Sequence, residues 1–173
     1  MAGLTAGLEE PAIGFKLPMG SIRSHPEALR VLEEPDLRFI RLTRRNLLAL
    51  LASRRLLAAT RVPQSTHGSY GEATIRLEPR LCLNAFAKME EHDAYLDDLT
   101  RGRPTHRMTY EDLVAGRGLD GAQEFLGVQP MAMSSVFERI RTRPLSETVE
   151  NWGEVEATLR GTAYEPFLAD DLR

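Results

Sequence analysis

The 173-residue chain has a single cysteine, Cys82, so no internal disulfide can form. A lone thiol suits a reducing compartment, and the expected location is the cytoplasm. Four histidines lie scattered along the chain and, with one cysteine, make no cluster spaced for a metal. No metal is therefore expected. Long apolar runs are missing as well. The longest, around Leu47 to Ala52, falls far short of the roughly 20 residues that span a bilayer, so no membrane span is expected. Residues 1–10 lack the basic and apolar regions of a secretory signal. There is no internal repeat and no low-complexity segment. What is present is ordinary for a globular protein, with 42% hydrophobic and 27% charged residues, and the length suits one domain over residues 1–173.

The most informative absence is local. Between Leu37 and Gly71 there is no lysine, aspartate or glutamate, yet seven arginines occur (Arg38, Arg41, Arg44, Arg45, Arg54, Arg55, Arg61) in a chain of net charge −3. Such asymmetry suits an anionic ligand or an exposed basic helix face, and the second reading is preferred for Arg54, Arg55 and Arg61. The arginines flank an apolar strand with no accompanying nucleic-acid motif, so nucleic acid is not an expected partner. Leu37, Phe39, Ile40 and Leu42 predict a strand, Thr43 to Arg45 a basic turn, and Asn46 the N-cap of a leucine-rich helix ending near Arg61, before Val62-Pro63. In α/β sheets ligands gather where strands end and helices begin. Arg45 stands at that point, and Ser53, seven residues beyond Asn46, returns to the same helix face. A guanidinium fork and a hydroxyl on one side suit a phosphate.

Elsewhere, Ala12 to Leu17 predicts a buried strand stopped by Pro18, with Lys16 either snorkelling from its end or serving a site. Ser24 to Glu34 predicts a helix capped by Ser24, and residues 63–74, holding His67 and Tyr70, a loop. Glu78 to Thr100 predicts a long helix with Leu81, Ala85, Met89, His92 and Leu96 on its apolar side and Gly102 ending it. A short strand through His106, Met108 and Tyr110 follows, then a helix from Gly118 to Leu126 closed by Gly127 and Pro130. Tyr110 is either a buried strand residue with a bonded hydroxyl or an aromatic face for a purine. Residues 131–150 read as irregular. Within them Arg139, Arg141 and Arg143 share a face if extended, as a solvated rim or as a clasp on phosphates. A helix anchored by Trp152 runs from Glu150 to Gly161, and the tail through Tyr164, Phe167 and Leu168 is expected to dock weakly or fray.

Four of these features, in this order, resemble sulfotransferases that use 3′-phosphoadenosine 5′-phosphosulfate (PAPS). They are the strand with Arg45, Asn46 and Ser53, the Tyr-Glu-Asp-Leu run at 110–113, the following Phe-Leu-Gly-Val, and the Asn-Trp-x-Glu-Val helix start at Asn151. The form RLTRRNLLALLAS is most similar to bacterial members acting on carbohydrate or lipid-linked acceptors, and the resemblance covers residues 12–168. It implies a three-layer α/β domain with a small parallel sheet, like the P-loop kinases. It further implies PAPS as co-substrate and a sugar, lipid or small-molecule hydroxyl acceptor. Arg45 and Ser53 would hold the 3′-phosphate, Tyr110 would lie by the adenine, Arg141 and Arg143 would lie near phosphates, and Lys16 would reach the sulfuryl group. In some relatives a catalytic histidine follows that lysine by two residues; here the position is Pro18. The family's Gly-rich loop for the 5′-phosphosulfate has no counterpart in MAGLTAGLEEP, so self-association or a partner protein is expected to supply it and the chain alone to transfer poorly. The alternative is a non-catalytic relative that binds nucleotide or a partner.

Overall fold

A computed structural model describes residues 12–18, 22, 24–61, 73–134, 141 and 143–169. The fold is mixed α/β with a small two-stranded parallel sheet. The chain divides into two compact units, one of residues 1–43 and 94–132, the other of residues 44–93 and 133–173.

In the first unit β1 (Phe39–Thr43) pairs in parallel with β2 (Thr105–Thr109), Phe39 opposite Thr105 and Thr43 opposite Thr109. That register sets Arg41 directly across from Arg107, and like charges so placed repel. Asp97 resolves the conflict by accepting from both guanidinium groups. The hydrogen bond from Arg107, with Arg41 beside it, holds the Asp97 carboxyl below the usual carboxylate range. The strand therefore buries Arg41 (7% exposed) and leaves Ile40 (42%) and Leu42 (52%) largely in the open. Ahead of it, Pro26–Glu33 forms a 3₁₀ helix rather than the expected α-helix, and His25, not Ser24, is the N-cap. Arg103 closes this segment by donating to the carbonyls of Leu32 and Glu34 while lying over the Phe39 ring at 5.0 Å.

Beyond β2 come α-helices Tyr110–Val114 and Leu119–Leu126, the second bounded by Gly118 and Gly127 at φ 87° and 75°, where only glycine is unstrained. Gly121 packs closely for a different reason: a Cβ there would meet His106 Cε1 at 3.3 Å, so the ring would have to shift by a few tenths of an ångström. His106 stacks on Phe125 at 5.7 Å. Buried Gln123 donates to Met131 O (3.0 Å) and accepts from Met131 N (2.5 Å), which pins the exit of the unit. The strand expected at Ala12 to Leu17 is absent. Those residues are exposed or half-exposed, with Phe15 and Ile13 in the open, and no strand among the described residues pairs with them. A strand needs a ladder partner, and the strand-like composition of AIGFKL cannot supply one by itself.

In the second unit α1 (Leu47–Thr60) and α2 (Pro79–Leu99, which continues into the first unit) meet α5 (Leu145–Thr148) and α6 (Trp152–Leu159), counting the helices at 110–114 and 119–126 as α3 and α4. Their core holds Leu48, Ala52, Phe86, Leu145, Val149, Val155 and Leu159, with Trp152 packed against it as expected. The buried side of α2 runs through Cys82 and Phe86 with Ala85 and Met89, so Leu81, expected on it, is 55% exposed. The tail is docked, not frayed. A 3₁₀ turn, Glu165–Leu168, sets Tyr164 and Phe167 edge-on to Phe86 at 5.1 and 5.5 Å. Such pairs contribute about 0.5–1.5 kcal/mol each beyond area burial.

One side chain replaces a missing length of sheet. Ile75 and Val149 form a single parallel bridge, with Ile75 N donating to Thr148 O (3.0 Å) and Glu150 N to Ile75 O (2.9 Å). Asn151 then extends the pairing: its Oδ1 accepts from Leu77 N (3.0 Å) and its Nδ2 donates to Leu77 O (2.7 Å). Asn151→Ala leaves both Leu77 groups buried without those bonds, at about 1–3 kcal/mol each. Urea unfolding should show a loss of about 2–5 kcal/mol. Asn151→Asp, which keeps the acceptor but faces Glu154 with a second carboxylate, should recover part of that loss only at acid pH. A midpoint for Asn151→Ala equal to wild type would contradict this.

Candidate functional site

The strand–turn–helix forms as the sequence predicts. After Thr43 the backbone turns through Arg44 and Arg45, Asn46 takes an extended conformation (φ −85°, ψ 99°), and its Oδ1 accepts from Ala49 N at 2.9 Å. This cap satisfies one of the four donors that a helix start leaves over. Asn46 Nδ2 donates to Phe167 O (3.1 Å) and Ala169 O (2.8 Å), tying the tail to the same turn. No acidic residue lies in the first turn of α1. The helix stops at Arg61, which adopts the left-handed region (φ 55°) and donates to Leu57 O.

Ser53 is half-buried on α1, and its Oγ accepts from Arg44 Nη1 at 3.2 Å. The guanidinium on the serine is thus that of Arg44, while Arg45 is exposed beside it in the turn. Helical spacing could not separate the two arginines, since neither lies inside the helix. A hydroxyl that accepts from an arginine still has its own proton to donate. Arg44, Arg45 and Ser53 thus bring two guanidinium groups and a hydroxyl to the first half of α1, residue types whose chemistry fits a phosphate.

The remaining candidates lie as follows. Arg141 is buried, with Nη1 donating to Arg143 O (2.8 Å), and half-buried Arg143 reaches Ala73 O at 3.4 Å from Nη2. Arg141 thus braces its own segment, and Arg143 ties that segment to Ala73 within the second unit. Arg139, His67 and Tyr70 lie outside the described residues. In the first unit Lys16 is exposed on the irregular stretch 12–18. Tyr110 is half-buried and opens α3 instead of ending β2. The cause is the N-cap at Thr109, whose Oγ1 accepts from Asp112 N (3.2 Å) and donates to Asp112 Oδ2 (2.7 Å). Thr-x-x-Asp at 109–112 is the signal in the sequence that starts the helix there.

Among titratable groups, burial pushes the Cys82 thiol up to about 11, against a smaller opposing effect of Arg55. The thiol is inert packing. A thiol reagent at pH 8 should label Cys82 only after denaturation. Because the folded value lies above the ordinary 9.0, the unfolded chain loses its proton first, so stability falls as pH rises from about 9 to 11. Cys82→Ala should flatten that part of the pH–stability curve; rapid labelling of the native chain would refute the assignment.

Comparison with protein-family models, with curated proteins and with solved structures finds no match to this chain.

Proposed function

We propose that the chain is a sulfotransferase-like protein that binds PAPS and transfers its sulfuryl group to a hydroxyl acceptor, a sugar, lipid or small molecule. The observation that carries this reading is the Arg44–Ser53 hydrogen bond at the head of a capped helix, next to Arg45, in a stretch free of acidic residues. The two-stranded parallel sheet is compatible with the P-loop-kinase-like architecture of that family. In this reading the 3′-phosphate sits on Arg45 and Ser53, with Arg44 holding the serine. Tyr110 by the purine, Lys16 at the sulfuryl group and Arg141 and Arg143 near phosphates are what the family resemblance implies. Transfer of such a group depends mostly on positioning and on charge stabilisation at the leaving oxygen.

The second reading is a relative that binds nucleotide without transferring sulfuryl. Pro18, at the place of a histidine base in some relatives, and the exposed position of Lys16 favour it. Purified chain incubated with radiolabelled PAPS and a panel of hydroxyl acceptors separates the two. Labelled product supports the enzyme, and binding without product supports the relative.

The mutants make the site itself testable by calorimetry with 3′-phosphoadenosine 5′-phosphate. A charge-assisted hydrogen bond contributes about 1.5–3 kcal/mol, so Arg45→Ala should weaken binding by roughly one to two orders of magnitude. Ser53→Ala, which removes a neutral donor, should cost only several-fold. Tyr110→Phe should keep most of the affinity and Tyr110→Ala should lose it if stacking holds the base. Equal affinity of Arg45→Ala and wild type would reject the site.

A further inference from the structure

The turn that leads into β2 carries a second concentration of arginine, which the nucleotide reading leaves unused. Arg101, Arg103 and Arg107, with Asp97, Thr100 and Thr105, line a cavity of ≈ 530 Å³ within the first unit. We propose that this cavity binds a small dianion bearing phosphate or sulfate oxygens, a phosphate monoester or pyrophosphate being the fitting class. It shares no residue with the Arg45–Ser53 site.

Charge is the first support. Three arginines line the cavity, Arg101, Arg103 and Arg107, with one carboxylate, Asp97, while Asp98 pairs with Arg101. The C-terminus of α2 adds about half a negative charge, so the three guanidinium groups still outweigh the negative charge beside them. Donor supply is the second. A guanidinium has five N–H donors. Arg101 gives one to Asp98, Arg107 one to Asp97, and Arg103 two to the carbonyls of Leu32 and Glu34. Arg103 is also held over Phe39, so its fork is preorganised. Arg101 and Arg107 are exposed, and exposed ion pairs exchange partners cheaply. Asp97 keeps the buried Arg41 when Arg107 turns to a ligand.

The threonines do not compete for the role. Thr100 Oγ1 donates to Leu96 O (2.8 Å) and Thr105 Oγ1 to Arg103 O (3.0 Å), so neither proton is left for an anion and the guanidinium groups do the recognition. Gly102, at φ 71°, has no atom within 4 Å of the place a Cβ would take, which leaves the backbone side of the cavity open. A guanidinium fork accepts carboxylate and phosphate alike, and the higher charge and extra oxygens of a phosphate dianion let it engage more than one of these arginines where acetate engages one.

The experiment is an amide NMR titration of the full chain with inorganic pyrophosphate and with a sugar phosphate, at constant ionic strength, against acetate. Saturable shifts centred on Gly102 and Thr105 are expected with both phosphates and not with acetate. Tighter binding of the sugar phosphate would assign a substituted ligand, and tighter binding of pyrophosphate a free one. Arg101→Gln and Arg107→Gln should each weaken binding at least about fivefold, with Arg107→Lys in between and Arg45→Ala unchanged. Three results would overturn the proposal: no saturable shift at Gly102, equal response to acetate, or loss of the shifts in Arg45→Ala, which would place the anion at the other site.

Discussion

The second unit hangs on the amide of Asn46. Its oxygen starts α1 and its nitrogen holds the carbonyls of Phe167 and Ala169, so one side chain fixes both the helix and the tail. A carboxylate could cap as well but could not donate, and a serine could not reach three partners at once. With the turn so fixed, Arg44 lies along the helix to Ser53 and Arg45 projects beside it. The tail in turn presents Tyr164 and Phe167 to Phe86. Core packing and the geometry of the candidate site thus share one constraint.

The first unit depends on a carboxylate in a comparable way. Register puts Arg41 opposite Arg107, and Asp97 turns a repulsion into a bridge. As pH falls through the depressed range of Asp97, that stabilisation is lost, because the unfolded chain takes up the proton first. The arginines that Asp97 reconciles are thus structural members of the sheet, as Arg141 is of its own segment.

Elements marked by local chemistry were legible in the sequence. The span of α1 follows from Asn46 at one end and the residue before Pro63 at the other; α4 is bounded by glycines, and α6 is anchored by Trp152. Features that depend on a distant partner were not legible. AIGFKL has strand composition but no ladder, and Leu81 has helical spacing but lies off the face that Cys82 and Phe86 bury. Docking of the tail is decided by Asn46 more than a hundred positions earlier. Of the site, Arg45 and Ser53 were legible as chemistry, whereas the partnership of Ser53 with Arg44 depends on backbone before the helix, where no periodicity holds.

The proposed function turns on recognition of a ribose-side phosphate by the turn before α1. Its most direct measurement compares two ligands on the unaltered chain: calorimetric titration with 3′-phosphoadenosine 5′-phosphate and with adenosine 5′-monophosphate, which lacks only the 3′-phosphate. The bisphosphate is expected to bind at least about tenfold more tightly, since two charge-assisted contacts are at stake. Equal affinities for the two, or no binding of either by the folded chain, would contradict it.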